Sequence, residues 1–271
     1  MQNNRTRFVI VLGGILLITI LYFLPQKVEK KMVVENQTGF SMDEQITAGK
    51  ARLKRQEKDQ VIIVEDLLKK SPDSNVYLDS LGKLWDRFQT PQISSYYYEK
   101  IAQADSNEQN WINAAYRYFD AFKITSDSLK RVYFVSKAID AYKKVIAINP
   151  TNDDAKTDLG VCYAEGSPNP MQGIMMLREV VQQNPKHLMA QYNLGVLSVK
   201  SGQLDKAIER FKKVLEIQPS FDDARFLLAK TYLQMGNKIE AKKNLLILQK
   251  DAKDAQLKQE VESLINSINN Q

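Results

Sequence analysis

The feature that most constrains this chain is a spacing. Gly195 and Ala207 lie twelve residues apart, and Pro219 follows twelve residues later. Around Gly195 the apolar residues recur at helical spacing, a turn falls at Gly202, and a second amphipathic stretch ends at Pro219. Two small residues at facing positions let two helix axes approach closely. The same interval separates Ala229 from Ala241 and Gly82 from Ser94. Gly160 and Gly173 are thirteen apart, with the extra residue in the turn Gly166–Pro170, and Pro185 comes twelve later. Ala115 and Ala138 are separated by twenty-three residues, an expansion of eleven, yet Pro150 restores the rhythm twelve residues on. An interval that returns in phase after an insertion belongs to stacked repeats and not to a generic bundle.

This pattern resembles the tetratricopeptide repeat, a two-helix unit of 34 residues. The resemblance covers five units over residues 73–250. Trp111 supplies the family's early tryptophan, and Ser106 replaces the closing proline of the first unit. It implies an all-α fold, a superhelical solenoid of antiparallel helix pairs with a concave groove lined by the first helix of each unit. Residues 251–271 follow, with Leu257, Val261, Leu264 and Ile268 on one helical face, as expected of a helix capping the open end.

Upstream, residues 1–7 form a short basic tail, 8–24 an uncharged apolar run and 25–40 a linker. Seventeen helical residues span about 25 Å, near the lower limit for crossing a bilayer. Arg7 and Lys27 can snorkel outward, and Tyr22 and Phe23 suit an interface. No small-x-small cleavage site or lipobox cysteine follows the run, so an uncleaved single-pass transmembrane helix is expected over a signal peptide. Arg5 and Arg7 on one side and Lys27, Lys30 and Lys31 on the other leave the orientation open by charge alone. A short basic tail before a first apolar helix favours a repeat domain on the periplasmic side of a bacterial inner membrane. Residues 41–72 are expected to be a helical segment. Ser41 and Glu44 have capping-box spacing, and Ile46, Leu53, Val61, Val64 and Leu68 form a sparse stripe with a charged, breakable middle.

Composition narrows the function. One cysteine, Cys162, excludes an internal disulfide, and one histidine, His187, excludes a histidine cluster for a metal. His187 reads as an exposed residue between units and Cys162 as a small buried hydrophobe. No glycine-rich phosphate loop or isolated acid pair is present, so no catalytic residue, cofactor or metal is expected, and the chain reads as a non-enzyme. The net charge of +6 arises from interspersed charges. The basic stretch Lys50–Lys58 reads as a solvated helix face, with anionic lipid as the sharper option. Nucleic acid is not expected, because no reading motif accompanies the charge.

The expected function is therefore that of a membrane-anchored scaffold binding protein or peptide partners. Export and envelope assembly are contexts known for proteins of this layout; the alternative is a self-assembling module, and the oligomeric state stays open. By the resemblance, the groove is lined by Lys83 and Arg87, then Asn113 and Tyr116, then Asp158, then Tyr192, Asn193 and Lys200, and finally Lys230. Asn113 and Asn193 stand out, because an amide side chain can donate to and accept from a peptide backbone at once. Asp154 and Asp158 sit where a carboxylate clamp would need cations, so a ligand of mixed charge is expected. Tyr116, Tyr118, Phe119, Phe122, Tyr133 and Phe134 crowd the expanded unit, as core packing or as an aromatic docking surface.

Overall fold

The computed structural model describes residues 40–270. The expected transmembrane helix at 8–24 lies outside them, and among the described residues no helix is long and apolar enough to cross a membrane. The described region is all-α. It begins with α1 (Met42–Arg52) and α2 (Arg55–Lys70). Five pairs follow: α3 (Asn75–Arg87) with α4 (Pro91–Ala104), α5 (Glu108–Ile124) with α6 (Ser128–Ile148), α7 (Asp153–Gly166) with α8 (Pro170–Gln183), α9 (Leu188–Lys200) with α10 (Leu204–Ile217), and α11 (Asp222–Gln234) with α12 (Lys238–Asp251). α13 (Ala255–Asn269) closes the chain.

Local chemistry explains the boundaries. Ser41 caps α1 by accepting from the Glu44 N–H at 3.3 Å, and the charged middle of the first stripe breaks at Leu53–Lys54. Asn107 and Asn152 cap α5 and α7 by accepting from the N–H three residues on. α6, α8 and α10 each end one residue before a polar C-cap: Asn149, Asn184 and Gln218. Proline follows each cap and cannot continue the helix. The turns after α9 and α11 need the left-handed conformation, which Gly202 and Gly236 adopt at φ 72° and 76°. Gln89 takes the same conformation after α3, at φ 54°.

The small residues of the twelve-residue interval act in two ways. A Cβ on Gly195 would lie 2.7 Å from the Phe211 ring, and one on Gly82 would lie 2.7 Å from Tyr98. There the glycine makes room for an aromatic ring on the second helix, one turn beyond the expected small partner. In α7–α8 the backbones themselves meet: a Cβ on Gly173 would fall 2.1 Å from the Gly160 carbonyl oxygen. The expanded pair has no glycine at this place. Tyr118, Phe122 and Phe134 are fully buried, and Tyr133 nearly so, filling the space between the two long helices. Core packing is thus the main use of that aromatic cluster, with Tyr116 left exposed.

The ends of the stack are covered. α1 leans on α4, and Gly49 sits against Ile93 of α4 and Trp85 of α3. At the other end, Val261 and Ile265 of α13 pack on Ala229, Leu245 and Leu248, with Leu257, Leu264 and Ile268 alongside. The covering stripe is therefore centred between Val261 and Ile265, one residue aside from the expected line.

Candidate functional site on the first helices

The first helices touch in succession, α5 to α7 to α9 to α11, and carry the expected site residues. Most of their charges are paired within the protein. Lys83 meets Asp79 at 2.7 Å one turn back. Arg87 donates to Gln60 of α2 and lies over the Phe88 ring, which draws it toward the N-terminal helices. Asp86 of α3 accepts from Arg117 of α5 at 2.6 and 2.8 Å, and that guanidinium stacks 3.7 Å from the Tyr98 ring. Arg117 also donates to the Asn113 carbonyl oxygen.

Farther along, Glu165 of α7 bridges three helices. It accepts from Lys123 of α5 at 2.9 Å and from Lys200 of α9 at 2.6 Å. Burial pushes the Glu165 carboxyl up, but the two ammonium groups outweigh it and hold the pKa below the usual glutamate value. Lys230 pairs with Glu260 of the capping helix at 3.7 Å and lies over Phe226. Of the nine expected site residues, Lys83, Arg87, Lys200 and Lys230 are thus engaged in the repeat framework.

The two asparagines are half-exposed and partly engaged. Asn193 donates to the Met189 carbonyl oxygen one turn back, at 2.9 Å. Asn113 accepts a long 3.4 Å bond from Gln109. Tyr192 is half-buried against the Phe211 and Phe221 rings, and burial pushes its hydroxyl pKa up. It braces α9 against the next unit.

The centre of the row is different. Tyr116 is 54% exposed, and its pKa is raised by the charge of Asp120 first, then by burial and by Asp158. Asp120 is itself pushed up by burial, with Arg117 acting the other way. Asp158 occupies the register of Asn113 and Asn193, two residues before the small position, and is half-buried. It accepts from the Tyr142 hydroxyl of α6 at 2.9 Å. Burial pushes its pKa up to about 6; the Tyr142 hydrogen bond opposes this, while Asp154 and Asp120 add to it. Tyr116, Asp120 and Asp158 form one acidic, aromatic patch where α5 meets α7. Cys162, one turn beyond, is buried and its thiol is pushed well up, first by desolvation and then by Asp158.

His187 is not the exposed spacer its place between units suggests. Its side chain is 10% exposed, accepts from the Ala190 N–H through Nδ1, and reaches Asp154 through Nε2 at 3.2 Å. It stands two residues after Pro185, as Asn152 stands after Pro150, and it caps α9 as Asn152 caps α7. That register was the signal. Arg117, Asp120 and Glu165 were also missed. Glu165 and Lys200 are each the fifth residue after their unit's glycine, so a column of charges aligned by unit exposes their pairing. Among the described residues, no group of three His, Cys, Asp or Glu side chains is placed to hold a metal ion.

Sequence and structure comparisons agree with this architecture. A tetratricopeptide-repeat family model matches residues 198–260. A tetratricopeptide repeat protein from Parabacteroides merdae ATCC 43184 superposes with a TM-score of 0.58 at 16% identity, covering 84% of this chain and 87% of that one. A thermophilic repeat protein of Thermus thermophilus gives 0.54 at 18% identity, over 71% of this chain and all of that one. PilW, described as a widely conserved type IV pilus biogenesis factor, gives 0.53 at 17% identity, over 81% and 94%. BBS4 of Bos taurus, a BBSome complex member, is 28% identical over 123 residues, 41% of this chain. The chain spans 22% of that relative's length. The described region has the fold of a tetratricopeptide-repeat solenoid.

Proposed function

We propose that the chain is a membrane-anchored scaffold that holds protein or peptide partners along the first helices of its repeats. The observation that carries this reading is the patch where α5 meets α7. Tyr116 stays 54% exposed there beside the half-buried Asp120 and Asp158, in a row whose other charges are mostly paired. An exposed aromatic at the centre of a polar row offers a partner a large rigid contact at low entropic cost. Asn113 and Asn193 lie on the same row and keep polar atoms for a peptide backbone: the Asn113 amide nitrogen and the Asn193 carbonyl oxygen. The repeat fold supports binding as the role. The absence of any nucleophile or phosphate-loop motif supports a non-enzymatic one.

In this reading residues 8–24 cross a bacterial inner membrane once and the repeats stand on its periplasmic side. A role in envelope assembly or protein export follows by analogy; one neighbour of this fold is described as a pilus biogenesis factor and one relative as a member of a protein complex. The test is crosslinking of the full chain in membranes, wild type against Asn113→Ala/Asn193→Ala. Loss of specific protein adducts in the variant is expected, and an unchanged adduct pattern refutes this row as the binding surface. Topology is tested separately with Thr6→Cys and Thr38→Cys, since the native Cys162 is buried. Labelling of position 38 alone by an impermeant reagent added from the periplasmic side is expected; labelling of position 6 alone reverses the orientation.

A further inference from the structure

Among the described residues, two sets of cations contrast. On the first helices, Arg117, Lys123, Lys200 and Lys230 each meet a carboxylate. In the cleft lined by α8, α9, the turn after it and α10, three others do not. Lys206 donates to the neutral Gln203 side chain at 2.7 Å, and Arg210 to the neutral Gln191 side chain at 2.6 Å. Arg178 is exposed and, among the described residues, forms no ion pair. Glu209 is the single acidic side chain lining the cleft, and among the described residues it pairs with none of the three. The cleft therefore keeps an excess of unneutralised positive charge, whereas the first-helix row has largely cancelled its own.

The floor between these cations is apolar. Val181 and Leu194 are buried core residues, and Ile174 and Leu197 pack partly buried against the same cluster. The cavity measures about 360 Å³, within the range of sites that enclose a ligand group, which begin at roughly 300 Å³. Met171 lines its mouth at 55% exposure, and Met175, one turn along α8, is 63% exposed. Methionine side chains adapt readily to the shape of an apolar partner. None of the nine residues expected to line the groove takes part.

We infer that this cleft is a second docking surface, for an acidic protein segment that inserts a large aliphatic side chain flanked by aspartate or glutamate. The aliphatic group removes the floor and the methionines from water, and its acidic neighbours neutralise Arg178, Lys206 and Arg210. The site is independent of the first-helix row, so either surface can fail without the other.

The probe is a fluorescent twelve-residue peptide of leucines set among glutamates, titrated into the full chain in detergent micelles. A copy with lysine for glutamate and a single-stranded oligonucleotide of equal charge serve as comparators. The acidic peptide should bind at least about tenfold more tightly than the lysine copy, and its affinity should fall as salt is raised. Arg178→Glu/Lys206→Glu should weaken it by about tenfold or more while Asn113→Ala leaves it unchanged. Should the reversal lower helical content, Arg178→Gln/Lys206→Gln provides the neutral version, and methyl resonances of Met171 and Met175 locate the peptide directly. Equal binding of the two peptides, binding of the oligonucleotide alone, or methyl shifts elsewhere only would overturn the assignment.

Discussion

Two neighbouring helix pairs, α5–α6 and α7–α8, solve the same packing problem in opposite ways. In α7–α8 two glycines bring the backbones into contact, with a hypothetical Gly173 Cβ only 2.1 Å from the Gly160 oxygen, and both helices are 14 residues long. In α5–α6 the helices run to 17 and 21 residues, and buried aromatic rings fill the wider interval. The difference teaches where a site can form. The expanded pair projects Tyr116 and Asp120 beside Asp158 of the tight pair, with Tyr142 of α6 reaching across to that carboxylate. The patch of exposed aromatic and half-buried acid lies where the pair with long helices stacks on the pair with glycines in contact.

The largest effect is expected where the wide pair depends on its rings. Phe134 is fully buried, and Phe134→Ala should cost about 3–5 kcal/mol in denaturant unfolding; a loss under about 1 kcal/mol would mean that the neighbouring rings can close the gap. The tight pair should break through the smallest addition. Gly173→Ala should destabilise by about 2–3 kcal/mol, because the new methyl meets backbone that cannot rotate away and the alanine preference of helices, about 1 kcal/mol, recovers only part. A stabilised variant would show that the two helices are farther apart than the glycine contact requires.

Asp158 sharpens the comparison by pH. Its pKa in the folded state, about 6, lies above the 3.8 of an exposed aspartate. The folded state therefore binds a proton more tightly than the unfolded one. The associated stability is complete below pH 4 and is lost as pH rises through 6. Asp158→Asn, which keeps an acceptor for Tyr142, should raise stability at pH 7.5 by roughly 1–2 kcal/mol and flatten the profile between pH 4 and 7. No stabilisation at pH 7.5, with the pH dependence retained, argues against a strained carboxylate. The smallest expected change is at Glu165. Its pKa is held low, so its contribution is present at neutral pH and is lost as pH falls through its lowered value. Glu165→Gln should cost about 1 kcal/mol at pH 7, because both lysines remain substantially exposed; a change in the opposite direction would remove the bridge from the account.

Much of this arrangement is legible in the residues. The twelve-residue interval, the prolines that close three of the five units and the Ser41 cap are local signals, because turns, caps and helical periodicity depend on near neighbours. What small residues do at their register is not local. Gly195 and Gly160 stand at the same place in their units, and only the residue opposite, Phe211 in one case and Gly173 in the other, decides between a ring and a backbone contact. Site residues are harder still. Lys200 and Asn193 both lie on α9, but whether a cation stays free depends on a carboxylate 35 residues away in sequence, as Glu165 is from Lys200. Asp158 shares the register of the two asparagines, and its burial comes from α6, the helix that departs most from the repeat.

The central claim, that partners are held where α5 meets α7, is tested most directly by a photo-crosslinking residue placed at position 116 of the full chain in membranes. A control at position 148 uses Ile148, which is exposed on α6. Protein adducts are expected from position 116 that are absent from position 148 and diminished by Asn113→Ala/Asn193→Ala. Adducts equal at both positions, or none at 116, would contradict it.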